Sequence, residues 1–237
     1  MSSTRQKIYT RNTERRDFPA ILRLCRKVYV NSKPWSTRQL ASHLSVFPEG
    51  QFVAVERESE RVMGMAASLI VRWDDYDAHD SWREFTNSGL FTNHDPVHGR
   101  TLYGAEVMVD PEAQGRGIGS KLYKARSNFV IHLGLRRIRA AARLRGFRKH
   151  AAHMDAEEYV ERVVKGELRD PTLSFQMRHG FQVIDVISGY LEHDDKASLG
   201  FAAIIEWLNP QFPHPENLSR RTPRFLPPEE STGLTEM

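Results

Sequence analysis

A chain of 237 residues with 34 Lys and Arg against 30 Asp and Glu has a net charge of +4, and 40% of it is hydrophobic. That length suits one domain with extensions, and the apolar fraction suffices for a real core, which excludes an intrinsically disordered chain. The longest apolar run, Met63 to Val71, is broken by Gly64 and Ser68 and falls far short of the roughly 18 residues of a membrane-spanning helix, so a helical membrane protein is excluded. The start, Met1 to Tyr9, is polar and lacks the apolar core of a secretory signal, and Cys25 is the single cysteine, without an intrachain disulfide partner; a cytoplasmic protein is expected. An excess of four charges, though it gives a pI near 9.3, is modest evidence for nucleic acid without a concentrated basic stripe.

In chain order, a strand is expected around Lys7 to Thr10, then an amphipathic helix carrying Phe18, Ile21, Leu22, Cys25, Val28 and Tyr29 behind an N-cap at Thr13. Ser36 and Gln39 form a capping box that opens a second helix, which stops before Pro48 and Gly50. Phe52 to Glu56 and Val62 to Arg72 read as an antiparallel hairpin around the charged turn Arg57 to Arg61. Residues 73–100 have no clean period and read as a functional loop or lid. A strand from Leu102 to Val109 leads through a Gly-rich turn to a helix bearing Ile118, Leu122, Ala125, Phe129, Val130 and Leu133, ended by Gly134. Ile138 to Ala142 is a buried-strand candidate. Asp155 with Glu158 caps a helix carrying Tyr159, Val160, Val163 and Val164, and Asp170 before Pro171 starts another that ends at Gly180. Phe181 to Ile187 and Phe201 to Leu208 are the last strands. The final 28 residues hold six of the twelve prolines, so residues 210–237 are expected to be a mobile or surface-draped tail after a domain of residues 1–209.

The chemistry is concentrated in Val107-Met108-Val109-Asp110-Pro111-Glu112-Ala113-Gln114-Gly115-Arg116-Gly117-Ile118-Gly119-Ser120, a strand that passes through a Gly-rich turn into a helix. Glycines let the backbone approach a ligand closely, and the uncapped amides at a helix start present donors with a favourable dipole; a pyrophosphate fits there. No Lys precedes Ser120, so the turn is not a Walker A loop, and the spacing is not that of the G-x-G-x-x-G dinucleotide fingerprint.

Gln114-Gly115-Arg116-Gly117-Ile118-Gly119 resembles the Gln/Arg-x-x-Gly-x-Gly/Ala signature of the GNAT acyl-CoA-dependent N-acetyltransferases. Phe175-Gln176-Met177-Arg178-His179-Gly180-Phe181 resembles the family's closing helix and Gly-Phe strand start, and the element order from Lys7 to Leu208 follows the family. More narrowly, Trp73-Asp74-Asp75-Tyr76-Asp77, Glu157-Glu158-Tyr159-Val160-Glu161 and Glu206-Trp207-Leu208-Asn209-Pro210 look like the acetyltransferase domain that some bacterial proteins carry ahead of a carbon-nitrogen hydrolase domain. A standalone version of that domain with a different, Pro-rich tail is expected. The resemblance implies an α/β fold of the α+β type: a central mixed, mostly antiparallel twisted sheet, flanked by helices and splayed at the coenzyme-binding strand, with inserts at about 73–100 and 143–170. It implies acetyl-CoA as cosubstrate, no metal, and direct attack by a small-molecule or peptide amine in a ternary complex. Backbone groups of Met108 and Val109 would bind the pantetheine like an added strand. Amides of Gln114, Gly115, Arg116, Gly117, Ile118, Gly119 and Ser120 would hold the pyrophosphate, and the Arg116 side chain could reach phosphate or nucleotide.

Acetyl transfer needs a neutral amine, donors for the oxyanion and a proton for the leaving thiolate. Many relatives supply that proton from a Tyr at the position held here by Gln176, which cannot act as an acid. Tyr103, Tyr123 or Tyr190 could substitute, or water could, or the chain is a poor catalyst. Glu106, on the strand that should line the thioester, is the candidate base; strand alternation leaves its face undetermined unless a bulge intervenes, and a structural pairing with arginine is the alternative. Asp74, Asp75 and Asp77, with Trp73, are candidates to receive a cationic acceptor, or else form a solvated acidic loop. His150 and His153 do not make a metal site, because Asp155 reads as a helix cap, and Cys25 reads as a core thiol. Arg136, Arg137, Arg139, Arg143, Arg145, Arg148 and Lys149 crowd a short span, pointing to an acidic partner or the nucleotide 3′-phosphate. Interleaved aromatics are sparse there, which weighs against nucleic acid. Besides an N-acetyltransferase, a coenzyme A binding regulatory module without turnover and a basic nucleic-acid binder remain alternatives; the acceptor and the oligomeric state, including a homodimer, stay open.

Overall fold

The computed structural model describes residues 8–29, 35–77, 80–191, 195–213 and 225. The expected tail therefore lies outside the described residues from residue 214 onward, except for Phe225, which is buried in the hydrophobic core. Seven strands, β1 (Ile8–Asn12), β2 (Phe52–Glu56), β3 (Val62–Val71), β4 (Thr101–Val109), β5 (Arg137–Arg143), β6 (Gln182–Ile187) and β7 (Ala202–Leu208), form one sheet in the order β1-β2-β3-β4-β5-β7-β6. The helices are α1 (Phe18–Val28), α2 (Thr37–Val46), α3 (Trp82–Phe85), α4 (Ile118–His132), α5 (Ala156–Val164) and α6 (Leu173–Met177). No helix among the described residues is long and apolar enough to cross a membrane.

Every neighbouring pair is antiparallel except β4 and β5, which run parallel and pair only at Thr101 with Arg137, Leu102 with Ile138 and Tyr103 with Arg139. Past Tyr103 the strands part, so the sheet consists of two antiparallel halves, β1 to β4 and β5-β7-β6, joined at one end of a split. The side chains that alternate along β3, Met65, Ala67, Leu69 and Val71, bury one face against α1 and α2 with Phe18, Ile21, Trp35 and Leu40. The opposite face packs against α4, α5 and α6 through Leu102, Tyr123, Val130, Ile138, Tyr159 and Phe181.

Local chemistry explains most boundaries. Ser36 and Gln39 close the capping box of α2, and Asp155 accepts the Glu158 amide to start α5. Gly134 takes φ 61° after α4, a left-handed stop that glycine adopts without strain. The first helix departs from expectation. Thr13 does not cap it; Glu14 and Asp17 cap each other around a 3-10 turn at Arg15–Asp17, Asp17 also holds Arg11 at 2.7 Å, and α1 begins only at Phe18 with Pro19 in its first turn. The insert at 143–170 is part of the core: the Asp170 carboxylate accepts from the Gly146 amide and from Tyr159, whose ring is fully buried.

Candidate active site

At the end of β4 the chain turns on Asp110, whose side chain accepts the Glu112 amide and is held by Arg61 at 3.0 Å and Lys27 at 3.2 Å. Burial pushes the Asp110 carboxyl up, but that amide and the two cations outweigh it and keep its pKa below the ordinary carboxylate value. Gln114, Gly115, Arg116 and Gly117 are exposed. Gly117 is the N-cap of α4 with φ 74°, and no side chain caps the helix, so its first amides are open to an anion. A Cβ on Gly115 or Gly117 would meet nothing among the described residues within 4 Å, whereas one on Gly119 would lie 2.9 Å from the Phe175 ring. The glycines thus divide the work: the first two shape the turn through positive φ, and the third lets α4 pack against α6. Ile118 is buried beneath the turn, Ser120 bonds His179 at 3.0 Å, and Arg116 bonds Glu56 at 3.1 Å.

The strand leading into this turn has a free edge. Among the described residues β4 pairs beyond Tyr103 with β3 alone, so the β5-facing backbone from Gly104 to Val109, which includes Met108 and Val109, has no strand partner there. Opposite Ala67 and Ser68, β4 contributes Glu106 and Gly104, leaving Ala105 as the extra residue of a β-bulge. The bulge decides the face of Glu106. Ala105 and Glu106 both look toward α1, whereas unbroken alternation would send Glu106 to the α4 side with Gly104.

On that face, both Glu106 oxygens accept from the Tyr29 hydroxyl at 2.8 Å, and one also accepts the Val107 amide at 3.0 Å. Desolvation raises the Glu106 pKa, against the opposing pull of Tyr29 and of Arg143 across the split. Arg143 is fixed by a two-point pair with Asp195, at 2.6 and 2.7 Å. Trp82, from the irregular insert, donates its indole N–H to the carbonyl of the bulged Ala105 at 3.0 Å, while its ring meets Trp35 edge to face. Tyr103 is fully buried with its hydroxyl 2.7 Å from that of Tyr190 and its ring stacked on Phe85. The split between β4 and β5 is therefore bordered on the α1 side by one carboxylate amid aromatic rings and one paired arginine.

The expected acidic group is placed differently from Glu106. Asp74, Asp75 and Asp77 are exposed; Asp75 pairs with Arg72 at 3.5 Å, and Asp74 lies close enough to Arg139 to favour its charged form. Trp73 stacks on Phe85 and lies under the Arg139 guanidinium at 4.2 Å. The arginine cluster is partly internal: Arg137 and Arg139 both bind the buried Glu206, at 3.1 and 2.8 Å. Gln176 is buried, and its amide nitrogen bonds the Tyr123 hydroxyl at 2.9 Å. Sequence reasoning missed Tyr29, Arg143 and Asp195 as neighbours of Glu106. Tyr29 was legible only as the end of an apolar stripe, and Arg143 only as one arginine among several.

Comparison with known proteins agrees with this geometry. The model of the acetyltransferase (GNAT) family matches residues 13–154. A protein of Bacillus subtilis (strain 168) called probable hydrolase YhcX is 38% identical over 220 residues, 93% of this chain and 41% of that protein. The chain thus spans less than half of that relative, as fits an acetyltransferase domain joined to a hydrolase domain. From the same organism, the uncharacterized N-acetyltransferase YkwB is 37% identical over 175 residues, 74% of this chain and 75% of that one. In fold the chain is similar to the GphF GNAT-like decarboxylase in complex with isobutyryl-CoA, with a TM-score of 0.70, 21% identity, and coverage of 84% of this chain and 98% of that one. With its mixed sheet split beside a Gly-rich helix start, this chain belongs to the GNAT acetyltransferase family.

Proposed function

We propose that the chain transfers the acetyl group of acetyl-CoA to an amine by direct attack in a ternary complex. The observation that carries this reading is the conjunction of the unpaired β4 edge, the uncapped start of α4 and a carboxylate turned toward the split by the Ala105 bulge. The pyrophosphate would lie against the amides of residues 114–120, the pantetheine along Met108 and Val109, and the amine would arrive from the α1 side. Glu106 takes the proton of the attacking amine. Tyr103 and Tyr190 stand as the wall of that side, and Trp73 with Asp74, Asp75 and Asp77 forms the outer rim that receives a second positive charge of the acceptor. A small-molecule or peptide amine and a cytoplasmic location go with this cosubstrate. The test is thiol release from acetyl-CoA over polyamines, aminoglycosides, amino acids and peptides. A second reading, coenzyme A binding without turnover, is favoured by Gln176 at the position where many relatives carry Tyr; tight binding with no thiol release over the whole panel would select it.

The pH dependence follows from Glu106. Its pKa is raised by burial, so the basic form is lost as pH falls at a higher pH than for a free carboxylate, and activity falls with it. Glu106→Gln keeps the shape and removes that limb. The rate at neutral pH should drop about 100-fold and recover as rising pH deprotonates the amine in solution. An unchanged pH-rate profile would make Glu106 structural and solvent the base.

Charge on the rim predicts a separate effect. Changing Asp74, Asp75 and Asp77 together to Asn should raise the KM of a polycationic acceptor while leaving acetyl-CoA affinity intact, because all three acids are exposed and none contributes to the core. An unchanged acceptor KM would move recognition to the segment 143–170.

A further inference from the structure

On the α4 side of the split, opposite Glu106, lies a second polar group that the reading above leaves without a role. Tyr123 projects from α4 and is 8% exposed. Its ring is held edge to face by Phe175 and Phe181, and its hydroxyl receives the Gln176 amide hydrogen at 2.9 Å. With that bond made, the phenol's own hydrogen has no acceptor among the described residues. One turn along α4, Arg126 is 2% exposed and makes no ion pair among the described residues. One of its nitrogens donates to the Glu106 carbonyl at 2.7 Å and the Ala67 carbonyl at 3.1 Å. Another would lie 2.8 Å from a Cβ on Gly104, a position also 3.4 Å from Ala140 on β5. The guanidinium thus sits at the root of the split, 5.9 Å from the Tyr123 ring. Arg126 Nε and Gln176 Oε1 are both buried without a hydrogen-bond partner among the described residues.

Arg126 is a buried cation held by carbonyls, with the Glu106 carboxylate near enough to favour its charge but not in ion-pair contact, and such a cation is costly unless further negative charge forms beside it. In acetyl transfer that charge forms on the departing sulfur. We propose that the Tyr123 phenol is the acid that protonates the leaving thiolate, with Gln176 orienting its hydroxyl and Arg126 stabilising the phenolate left behind. The inference rests on the acetyl-transfer reading and completes its proton balance. The amine nitrogen bonds the acetyl carbon and its proton passes to Glu106. The carbon–sulfur bond breaks with its electron pair going to sulfur, and the phenol hydrogen follows to give the free thiol. Tyr123 then regains a proton from solvent and Glu106 releases one to it. Base and acid stand on opposite faces of the sheet, so the amine enters from the α1 side and the thiol is protonated on the α4 side. Burial, with a smaller push from the Glu106 charge, raises the Tyr123 pKa, so the phenol is protonated and able to donate at neutral pH, while Arg126 and the Gln176 hydrogen bond pull in the direction of the anion. Tyr103 and Tyr190 do not fit the role, because they lie on the amine side and their hydroxyls are bonded to each other.

Two measurements test this. With any amine accepted from the panel, Tyr123→Phe should lower kcat about 100-fold with the acetyl-CoA KM within about twofold, and adding Gln176→Tyr to that variant should restore at least about tenfold by supplying a phenol from α6. An undiminished kcat in folded Tyr123→Phe would overturn the proposal. Independently of any amine, tyrosine labelled with carbon-13 at Cζ reports the phenol in the wild-type protein, the Tyr123 signal being identified by its loss in Tyr123→Phe. That signal should differ between the complexes with coenzyme A and with desulfo-coenzyme A, which lacks only the sulfur. Identical signals in two saturated complexes would overturn the assignment while leaving the coenzyme reading intact. Failure of the wild-type protein to bind either would bring down the acetyl-transfer reading and this inference with it.

Discussion

Gly117→Glu is expected to abolish acetyl-CoA binding while leaving the fold standing. Gly117 has φ 74°, is exposed, and has no atom of the described residues within 4 Å of where a Cβ would be, so a side chain there disturbs no packing among them. The left-handed conformation costs a non-glycine residue about 1–2 kcal/mol, which a domain of this size tolerates. The new carboxylate would project from the N-cap of α4 into the space proposed for the pyrophosphate. A pair of like charges about 4 Å apart near a protein surface repels by about 4 kcal/mol, and a loss of that size corresponds to about a thousandfold in affinity. Gly117→Asn separates charge from strain, since Asn enters the left-handed region readily and is neutral; it should keep far more of the affinity. Calorimetry on both folded variants decides. Unchanged acetyl-CoA affinity in Gly117→Glu would remove the pyrophosphate site from this turn.

The largest stability effect is expected at Glu206→Ala. Glu206 is 3% exposed on β7 and bridges Arg137 and Arg139 of β5, the strand positions that pair with Thr101 and Tyr103 of β4. Arg137 also donates to the Thr101 hydroxyl at 2.9 Å. Removing the carboxylate leaves two guanidinium groups close together with their shared counter-charge gone, and breaking a buried pair in this way costs about 3–5 kcal/mol. Thermal unfolding should show a Tm lower by about 10 °C. Replacing Arg137, Arg139 and Glu206 together with Met or Leu should recover most of the loss, because the trio contributes little beyond what apolar packing would. A Tm within about 2 °C of wild type in Glu206→Ala would mean that the two arginines find other partners or reach water.

The strands were legible because their Val-, Ile- and Ala-rich runs end at Gly, Asn and charged turns, and observed boundaries from β2 to β7 fall within a residue or two of those runs. The α2 capping box was spelled by Ser36 and Gln39. The start of α1 was not, since Glu14 and Asp17 close a 3-10 turn whose reciprocal bonds depend on Arg11 as well as on local spacing. In the site, the Gly-rich turn could be read because positive φ demands glycine. The face of Glu106 could not, because the Ala105 bulge is a property of how β4 registers on β3 and no Gly or Pro at that position marks it. Contacts that give the site its chemistry also join residues far apart in the chain: Tyr29 and Glu106 are 77 positions apart, and Tyr123 and Gln176 are 53 apart. The arginine cluster looked like a surface feature for the same reason, its carboxylate partners Asp195 and Glu206 lying tens of residues downstream.

Three parallel rungs between β4 and β5 have a consequence for the protein's endurance. Among the described residues no strand bonds cross the split beyond them, and a pantetheine arm lying along the open edge of β4 would act as a strut between the two half-sheets. Under that arrangement the cosubstrate stabilises the catalyst: at a hundred times its dissociation constant, a ligand that binds only the folded state adds about 2.7 kcal/mol. The gain should be local, appearing as slowed amide hydrogen exchange at residues 104–109 and 140–143 and much less in β1 and β2. The resistance of this chain to heat and proteolysis would then rise and fall with the acetyl-CoA supply around it.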